Sequence, residues 1–304
     1  MLAIIAPGQG SQTPGMLTEW LQDQSIKDLV AKWSLHIDLD LERLGTTASA
    51  DEIRDTANAQ PLIVAAGLIA FHKLGITKFT SAAGHSVGEL TAAAVAGVLT
   101  PVHALEFVRQ RGIAMAKAAS ESETGMSAVL GGDRDDVLKT LSELGLTAAN
   151  DNGAGQIVAA GSLDALEKLN GNPPENARVR ALAVAGAFHT SVMKPAVDHV
   201  AAFLPKVNIS NPKVALLSNK DGATVGSGED AANRIVAQVA NPVRWDLCMV
   251  SLRELGITGV IELPPAGTLV GLLKRAEPGI ETFALKSPED LAAAKEFAAK
   301  HGGA

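Results

Sequence analysis

The sequence is 304 residues long, 47% hydrophobic and 19% charged, with 33 acidic against 26 basic side chains, one cysteine and no tyrosine. Those proportions exclude a disordered or fibrous chain and point to a compact protein with one large domain, carrying at most a smaller inserted one. A net charge of −7 and a pI near 5.5 give no basic footprint for nucleic acid or an anionic membrane surface, so an anionic ligand must meet a local basic site. The lone Cys248 cannot make an internal disulfide or a multi-cysteine metal site, which fits a reducing cytoplasm. Met1–Gly10 lacks a basic leader pattern, and the longest apolar stretch, Leu62–Phe71, falls short of the roughly 18 residues of a membrane helix.

In chain order, Leu2–Ala6 is a short apolar run ended by Pro7 and Gly8, the pattern of a buried first strand feeding a glycine-rich loop. Pro61 opens the apolar run to Phe71 at a position suited to the first turn of a helix. Phe79–Ala83 reads as a strand, followed by a sharp turn and a small-residue helix over Glu89–Leu99. Thr100 is placed to cap, and Pro101 to start, a helix running to about Ala119. Strand, loop and helix in this alternation argue for an α/β fold with a parallel sheet.

Between Gly125 and Gly186 the texture changes. Strands are expected at Met126–Leu130, Leu146–Asn150, Gln156–Ala160 and Arg178–Val184, with helices at Asp133–Leu144 and Ser162–Leu169. The order βαββαβ is the ferredoxin-like pattern and stands as a small subdomain. Strands return at Val214–Ser218, Val260–Leu263 and Thr282–Leu285. The expected division is therefore a large domain of residues 1–124 and 189–304 interrupted by an insert of residues 125–188.

The sharpest chemical signal is Gly84-His85-Ser86-Val87-Gly88, a G-x-S-x-G run between an expected strand and an expected helix. A nucleophile on such a turn needs small flanking residues, because the backbone is strained and a neighbouring chain passes close. By composition a chain of this length yields roughly 0.1 such match by chance, so the run carries weight. The N–H of Val87 opens the helix and can face a developing oxyanion. Gly8-Gln9-Gly10-Ser11-Gln12, straight after the first strand, can aim a second N–H, that of Gln9, at the same oxygen. It lacks the Lys-Ser/Thr ending of nucleotide loops. Of seven histidines, His36, His72, His85, His103, His199 and His301 read as surface or amphipathic-helix positions. His189 follows the apolar run Ala181–Phe188 where the chain leaves the insert, and is the favoured base for Ser86.

Arg111 is the most informative single residue. At 100° per residue, Ala104, Phe107, Val108, Ala114, Met115 and Ala118 share its helix face, while Glu106, Arg109, Gln110 and Lys117 lie opposite. An inward guanidinium is costly unless it meets a carboxylate. That carboxylate belongs either to an internal Asp or Glu or to the substrate.

Together these residues resemble a known family. PGQGSQ at Pro7–Gln12, AQP at Ala59–Pro61, GHSVGE at Gly84–Glu89, RG at Arg111-Gly112, GAFH at Gly186–His189 and NPVRW at Asn241–Trp245 are similar to the ordered motifs of malonyl-CoA:acyl carrier protein transacylases, over essentially the full chain. The resemblance implies an α/β-hydrolase-like large domain with a ferredoxin-like subdomain, Ser86 as nucleophile and His189 as base. It implies an oxyanion hole of the Gln9 and Val87 N–H groups, and Arg111 holding the malonyl carboxylate. It further implies that the main-chain carbonyl of Gln238 orients the histidine, and that the bulk of Phe188 disfavours an α-methyl branch. Malonyl-CoA and a phosphopantetheinylated acyl carrier protein are the implied partners, with no cofactor, no metal and a monomeric enzyme. The chain departs from the family at Pro264-Pro265-Ala266, where a Gly-Pro-Gly turn is usual.

Two other classes compete. A serine esterase or thioesterase normally orders Ser, Asp or Glu, then His, and Asp133, Asp136, Asp151 and Asp164 fall between Ser86 and His189. A non-catalytic interaction domain on the same fold would have no need of serine, base and inward arginine together.

Overall fold

The structure, a computed structural model, describes residues 1–303. Its strands are β1 (Leu2–Ala6), β2 (Ser81–Gly84), β3 (Thr124–Gly131), β4 (Thr147–Asp151), β5 (Gln156–Ser162), β6 (Ala177–Ala181), β7 (Ala215–Leu216), β8 (Val243–Arg244), β9 (Gly259–Glu262) and β10 (Glu281–Ala284). The helices are α1 (Gln24–Ile37), α2 (Leu41–Thr46), α3 (Thr56–Leu74), α4 (Gly88–Val95), α5 (Pro101–Ser120), α6 (Arg134–Glu143), α7 (Leu163–Gly171), α8 (Lys194–Phe203), α9 (Gly228–Gln238), α10 (Trp245–Glu254), α11 (Thr268–Ala276) and α12 (Leu291–Lys300).

These elements build a mixed α/β protein around two five-stranded sheets. The first has the order β10-β9-β1-β2-β7 and is parallel throughout. Its central strand β1, Leu-Ala-Ile-Ile-Ala, is buried at every position, as a strand covered on both faces must be, and that is why it reads as an unbroken apolar run. The carboxyl ends of β1, β2 and β7 lead into Pro7–Ser11, His85-Ser86 and Ser218-Asn219. Ligands of open parallel sheets gather at such ends.

The second sheet has the order β6-β3-β5-β4-β8, antiparallel except for the β4–β8 pair. Strand alternation divides its residues. Val129, Ile157 and Ala159 meet Val137 and Leu141 of α6 and Leu166 and Leu169 of α7 in a separate apolar cluster, while Met126, Ala128 and Val158 face a cavity between the two sheets. Asp133 and Ser162 cap α6 and α7, and Thr100, as the sequence predicts, accepts the His103 N–H at 3.2 Å to cap α5.

Two local expectations fail for identifiable reasons. Pro61 does not open its helix: α3 begins at Thr56, capped by Asp55, and the proline lies inside it. A proline there strips the carbonyl four residues back of its N–H donor, and Arg109 Nη1 supplies a replacement to Ala57 O at 2.9 Å. The second departure is β8, which the sequence gives no sign of, since two residues are too few for a period. This strand from beyond residue 189 pairs in parallel with β4, Asn150 opposite Val243, and so stitches the second sheet to the rest of the chain. No helix among the described residues is long and apolar enough to cross a membrane.

Candidate active site

Ser86 sits at the first turn after β2 with φ 53°, and His189, at the exit of the β6 segment, has φ 61°. Left-handed backbone at non-glycine residues costs of order 1–3 kcal/mol each and persists where the surroundings enforce it. They do so here by close approach. A Cβ on Gly84 would lie 2.0 Å from the Gly88 backbone, and one on Gly88 would lie 2.2 Å from Ala6 O. The two flanking glycines of G-x-S-x-G are thus required by the packing of β1, β2 and α4.

The two strained residues meet. Ser86 Oγ is 2.8 Å from His189 Nε2, and His189 Nδ1 is 2.7 Å from the main-chain carbonyl of Gln238. A carbonyl only accepts, so Nδ1 carries the proton and Nε2 is left to accept from the serine hydroxyl. His189 is 3% exposed. Burial, and next the nearby Arg111 cation, push the imidazole down to about 3, opposed by the Gln238 carbonyl. The ring is a neutral acceptor at physiological pH.

Arg111, 1% exposed, reaches the same point from α5. Its Nη1 donates to Gln60 Oε1 at 2.7 Å and its Nη2 to Gln238 Oε1 at 2.8 Å, with Ser86 Oγ 3.4 Å from Nη2. No ion pair joins it to a carboxylate among the described residues, and its Nε has no partner among them. Burial lowers the guanidinium to about 10, against the field of Glu89, so it stays charged. Of the two readings left open by the helix pattern, the internal salt bridge is absent, and two neutral amide oxygens take its place.

The cavity, about 250 Å³, is lined by Gly8, Gln9, Gly10 and Ser11 after β1, by Gln60, His85, Ser86 and Met115, by the second sheet, by Leu182, Val184, Phe188 and His189, and by Thr268, Leu269 and Leu272 of α11. The backbone N–H groups of Ser86, Gly88 and Glu89 are committed to Asn219 Oδ1, His85 O and Ser86 O. Those of Val87 and Gln9 have no acceptor among the described residues. Phe188 is buried against the cavity. The Pro264-Pro265-Ala266 segment lies outside it, and buried Glu262 ties the loop to α11 by accepting the N–H groups of Gly267, Leu269 and Val270 at 2.9–3.0 Å.

Comparison with known proteins gives this geometry its context. Residues 4–284 match the family model of the acyl transferase domain. The chain belongs to the acyl transferase family. It is 54% identical over 296 residues to the malonyl CoA-acyl carrier protein transacylase of Mycobacterium tuberculosis (strain H37Rv), covering 96% of this chain and 98% of that one. The crystal structure of MCAT from Mycobacterium tuberculosis superposes with a TM-score of 0.94 at 53% identity, covering 97% of this chain and 99% of that one. A type II PKS acyl-carrier protein in complex with its malonyl-transacylase provides a further match, with a TM-score of 0.90 at 29% identity and coverage of 97% and 99%.

This acyl transferase also holds site residues that sequence reasoning passed over. His85, read as a surface position, lines the cavity, and its Nε2 is 2.8 Å from Asn152 Oδ1 of the second sheet; burial lowers its basicity. His301, by contrast, is buried outside the cavity, bonded to Thr258 Oγ1 at 2.9 Å. Asn219 holds the turn from below, its Oδ1 taking the Ser86 N–H at 2.8 Å and its Nδ2 reaching Gly84 O at 2.7 Å. Glu89, 3% exposed, accepts the Asn219 N–H at 2.5 Å and a short bond from Gln238 Nε2. Burial raises this carboxyl to about 8 in spite of those donors and the Arg111 charge. Of the four aspartates available to a hydrolase triad, Asp151 pairs with Arg134 at 2.8 Å and Asp133 caps α6, and the histidine's second nitrogen faces a carbonyl instead.

Proposed function

We propose that the chain moves a malonyl group from malonyl-CoA to the phosphopantetheine thiol of an acyl carrier protein, through an ester on Ser86, in fatty acid or polyketide biosynthesis. The relatives and structures named above support the substrates and the partner. The observation that carries the site assignment is Arg111, a buried cation with no carboxylate partner among the described residues, poised 3.4 Å from the serine oxygen. It is the group a malonyl carboxylate requires and an acetyl group does not.

In the first half-reaction Ser86 Oγ attacks the thioester carbonyl carbon while its proton passes to His189 Nε2. The Gln9 and Val87 N–H groups receive the oxyanion, an arrangement commonly worth ~3 kcal/mol per donor. The tetrahedral intermediate collapses, the C–S bond breaks, the CoA sulfur takes the proton from His189, and a malonyl-serine ester remains. In the second half-reaction the carrier-protein thiol loses its proton to His189 and attacks the ester carbonyl, the C–O bond breaks, and Ser86 Oγ leaves as it takes the proton back from His189 Nε2. Arg111 has a second effect. Its charge disfavours the imidazolium, so a malonyl carboxylate that neutralises it also eases protonation of His189, and an uncharged acyl group gives no such relief. Phe188 narrows the cavity beside the acyl group and works against an α-methyl branch. The fixed Arg111–malonate pair disfavours water as the competing nucleophile.

We further infer an α/β-hydrolase-like body of residues 1–124 and 189–304 with a ferredoxin-like insert of residues 125–188. The antiparallel order β6-β3-β5-β4 with α6 and α7 packed on one face supports this reading. The functional assignment is tested by rapid-quench intact-protein mass spectrometry. Malonyl-CoA is expected to leave one malonyl ester, mapped by digestion to Ser86, which holo carrier protein then removes. A serine that stays unmodified, or an ester discharged to water as fast as to the carrier thiol, would sink the transferase reading in favour of an esterase.

A further inference from the structure

Gln238 serves the site twice, through its main chain to His189 and through its side chain to Arg111. The second service depends on which way the terminal amide faces. In the orientation present, Oε1 receives Arg111 Nη2 at 2.8 Å, and Nε2 meets three oxygens: Ser86 O at 3.1 Å, Asn219 Oδ1 at 3.1 Å, and Glu89 Oε2 by the shortest contact of the three. A flipped amide would press an oxygen on three oxygens and an NH₂ on the guanidinium. Glu89 supplies the one carboxyl of that set. Both its oxygens accept, one from Asn219 N–H and one from Gln238, so no other side chain type of this length satisfies both donors at once.

We propose that Glu89 is a positioning residue for acyl selectivity: it locks the Gln238 amide, and the locked amide aims the Arg111 fork at the acyl group on Ser86. The proposal rests on the reading that Arg111 takes the malonyl carboxylate. Glu89 touches neither substrate nor the reacting atoms; it reaches the site through Gln238 and, by way of Asn219, through the Ser86 N–H, and only the Gln238 route falls on the malonyl group selectively.

The test is a double-mutant cycle on the intact protein, reading the rate of Ser86 acylation from malonyl-CoA and from acetyl-CoA. Glu89→Gln offers one acceptor oxygen where two donors point, and is expected to lower the malonyl-to-acetyl ratio about tenfold, chiefly through KM for malonyl-CoA. Gln238→Met removes the amide at similar length and lowers the ratio at least as far. The double variant is expected to match Gln238→Met alone within about twofold, because the two residues act in series. Equal slowing of both thioesters by Glu89→Gln, an unchanged ratio, or a double variant whose loss is the product of the single losses would each overturn the proposal. Should Glu89→Gln fail to fold by circular dichroism, Glu89→Asp, which withdraws the carboxyl by one methylene, replaces it in the cycle with the same expectations. A wild type that forms no malonyl ester refutes the functional reading instead, while a malonyl-selective wild type with a multiplicative cycle refutes the role of Glu89 alone.

Discussion

The carboxyl ends of the parallel sheet and the core of the second sheet are built on opposite terms. Around Ser86 the buried side chains include Glu89, Arg111, His189, Asn219 and Gln238, two backbone positions are left-handed, and Arg111 Nε has no partner among the described residues. Beneath α6 and α7 the second sheet carries an apolar cluster of Val, Leu, Ile and Ala. Desolvated polar groups and strained dihedrals are tolerated only where something else over-determines them. The comparison teaches that the first region gives up stability for a directed charge, while the second supplies a rigid roof for the cavity through ordinary apolar packing.

Substitutions should separate the two. The largest effect is expected from Ser86→Ala, which removes the proposed acyl acceptor and lowers transfer about 10⁴-fold or more with little change in unfolding midpoint; a variant that retained transfer would dissolve the contrast at its centre. Next comes Arg111→Ala, which should lower malonyl transfer about 10²–10³-fold while keeping or raising acetyl transfer, since it removes a cation that opposes imidazolium formation. Parallel single-turnover assays with the two thioesters decide this, and equal losses would make Arg111 structural. Leu169→Ala, at a fully buried position under the second sheet, should reverse the pattern. It is expected to destabilise the protein by about 2–5 kcal/mol in denaturant titrations and to leave acylation by the folded protein nearly unchanged. A large change in acyl selectivity from Leu169→Ala would show that the roof does more than pack.

A further effect is one of pH. Native His189 stays unprotonated down to about 3, whereas an unfolded imidazole takes its proton near 6.5. The unfolded chain therefore binds the extra proton between those values, and stability falls as pH drops through that window, with a slope of up to ~1.4 kcal/mol per pH unit from this group. His189→Gln should show a shallower acid-side fall, and an unchanged slope would mean that His189 is not held neutral by burial.

How much of this the sequence disclosed follows from the range of each signal. The elbow was legible because the glycines beside Ser86 answer a local collision between consecutive elements. Arg111 was legible because a helical period places it among apolar neighbours. The main-chain role of Gln238 came only through family resemblance, since a carbonyl carries no residue-specific mark. Glu89 closes the GHSVGE motif and Asn219 follows an expected strand, yet their burial is decided by neighbours more than a hundred residues away. The burial of His85 escapes a local reading for the same reason, its partner Asn152 arriving from the second sheet. Pro61 was misplaced because a rule about helix starts has no knowledge of Arg109, which repairs the lost hydrogen bond, and β8 was too short to register.

The central claim is that an unpaired buried arginine beside a serine–histidine pair selects the malonyl group. The most direct measurement is a competition: equimolar malonyl-CoA and acetyl-CoA, rapid quench, and the ratio of the two esters on Ser86 in wild type and in Arg111→Ala. Malonyl-serine is expected to dominate in the wild type and acetyl-serine in the variant. The same ester ratio in both proteins would contradict it.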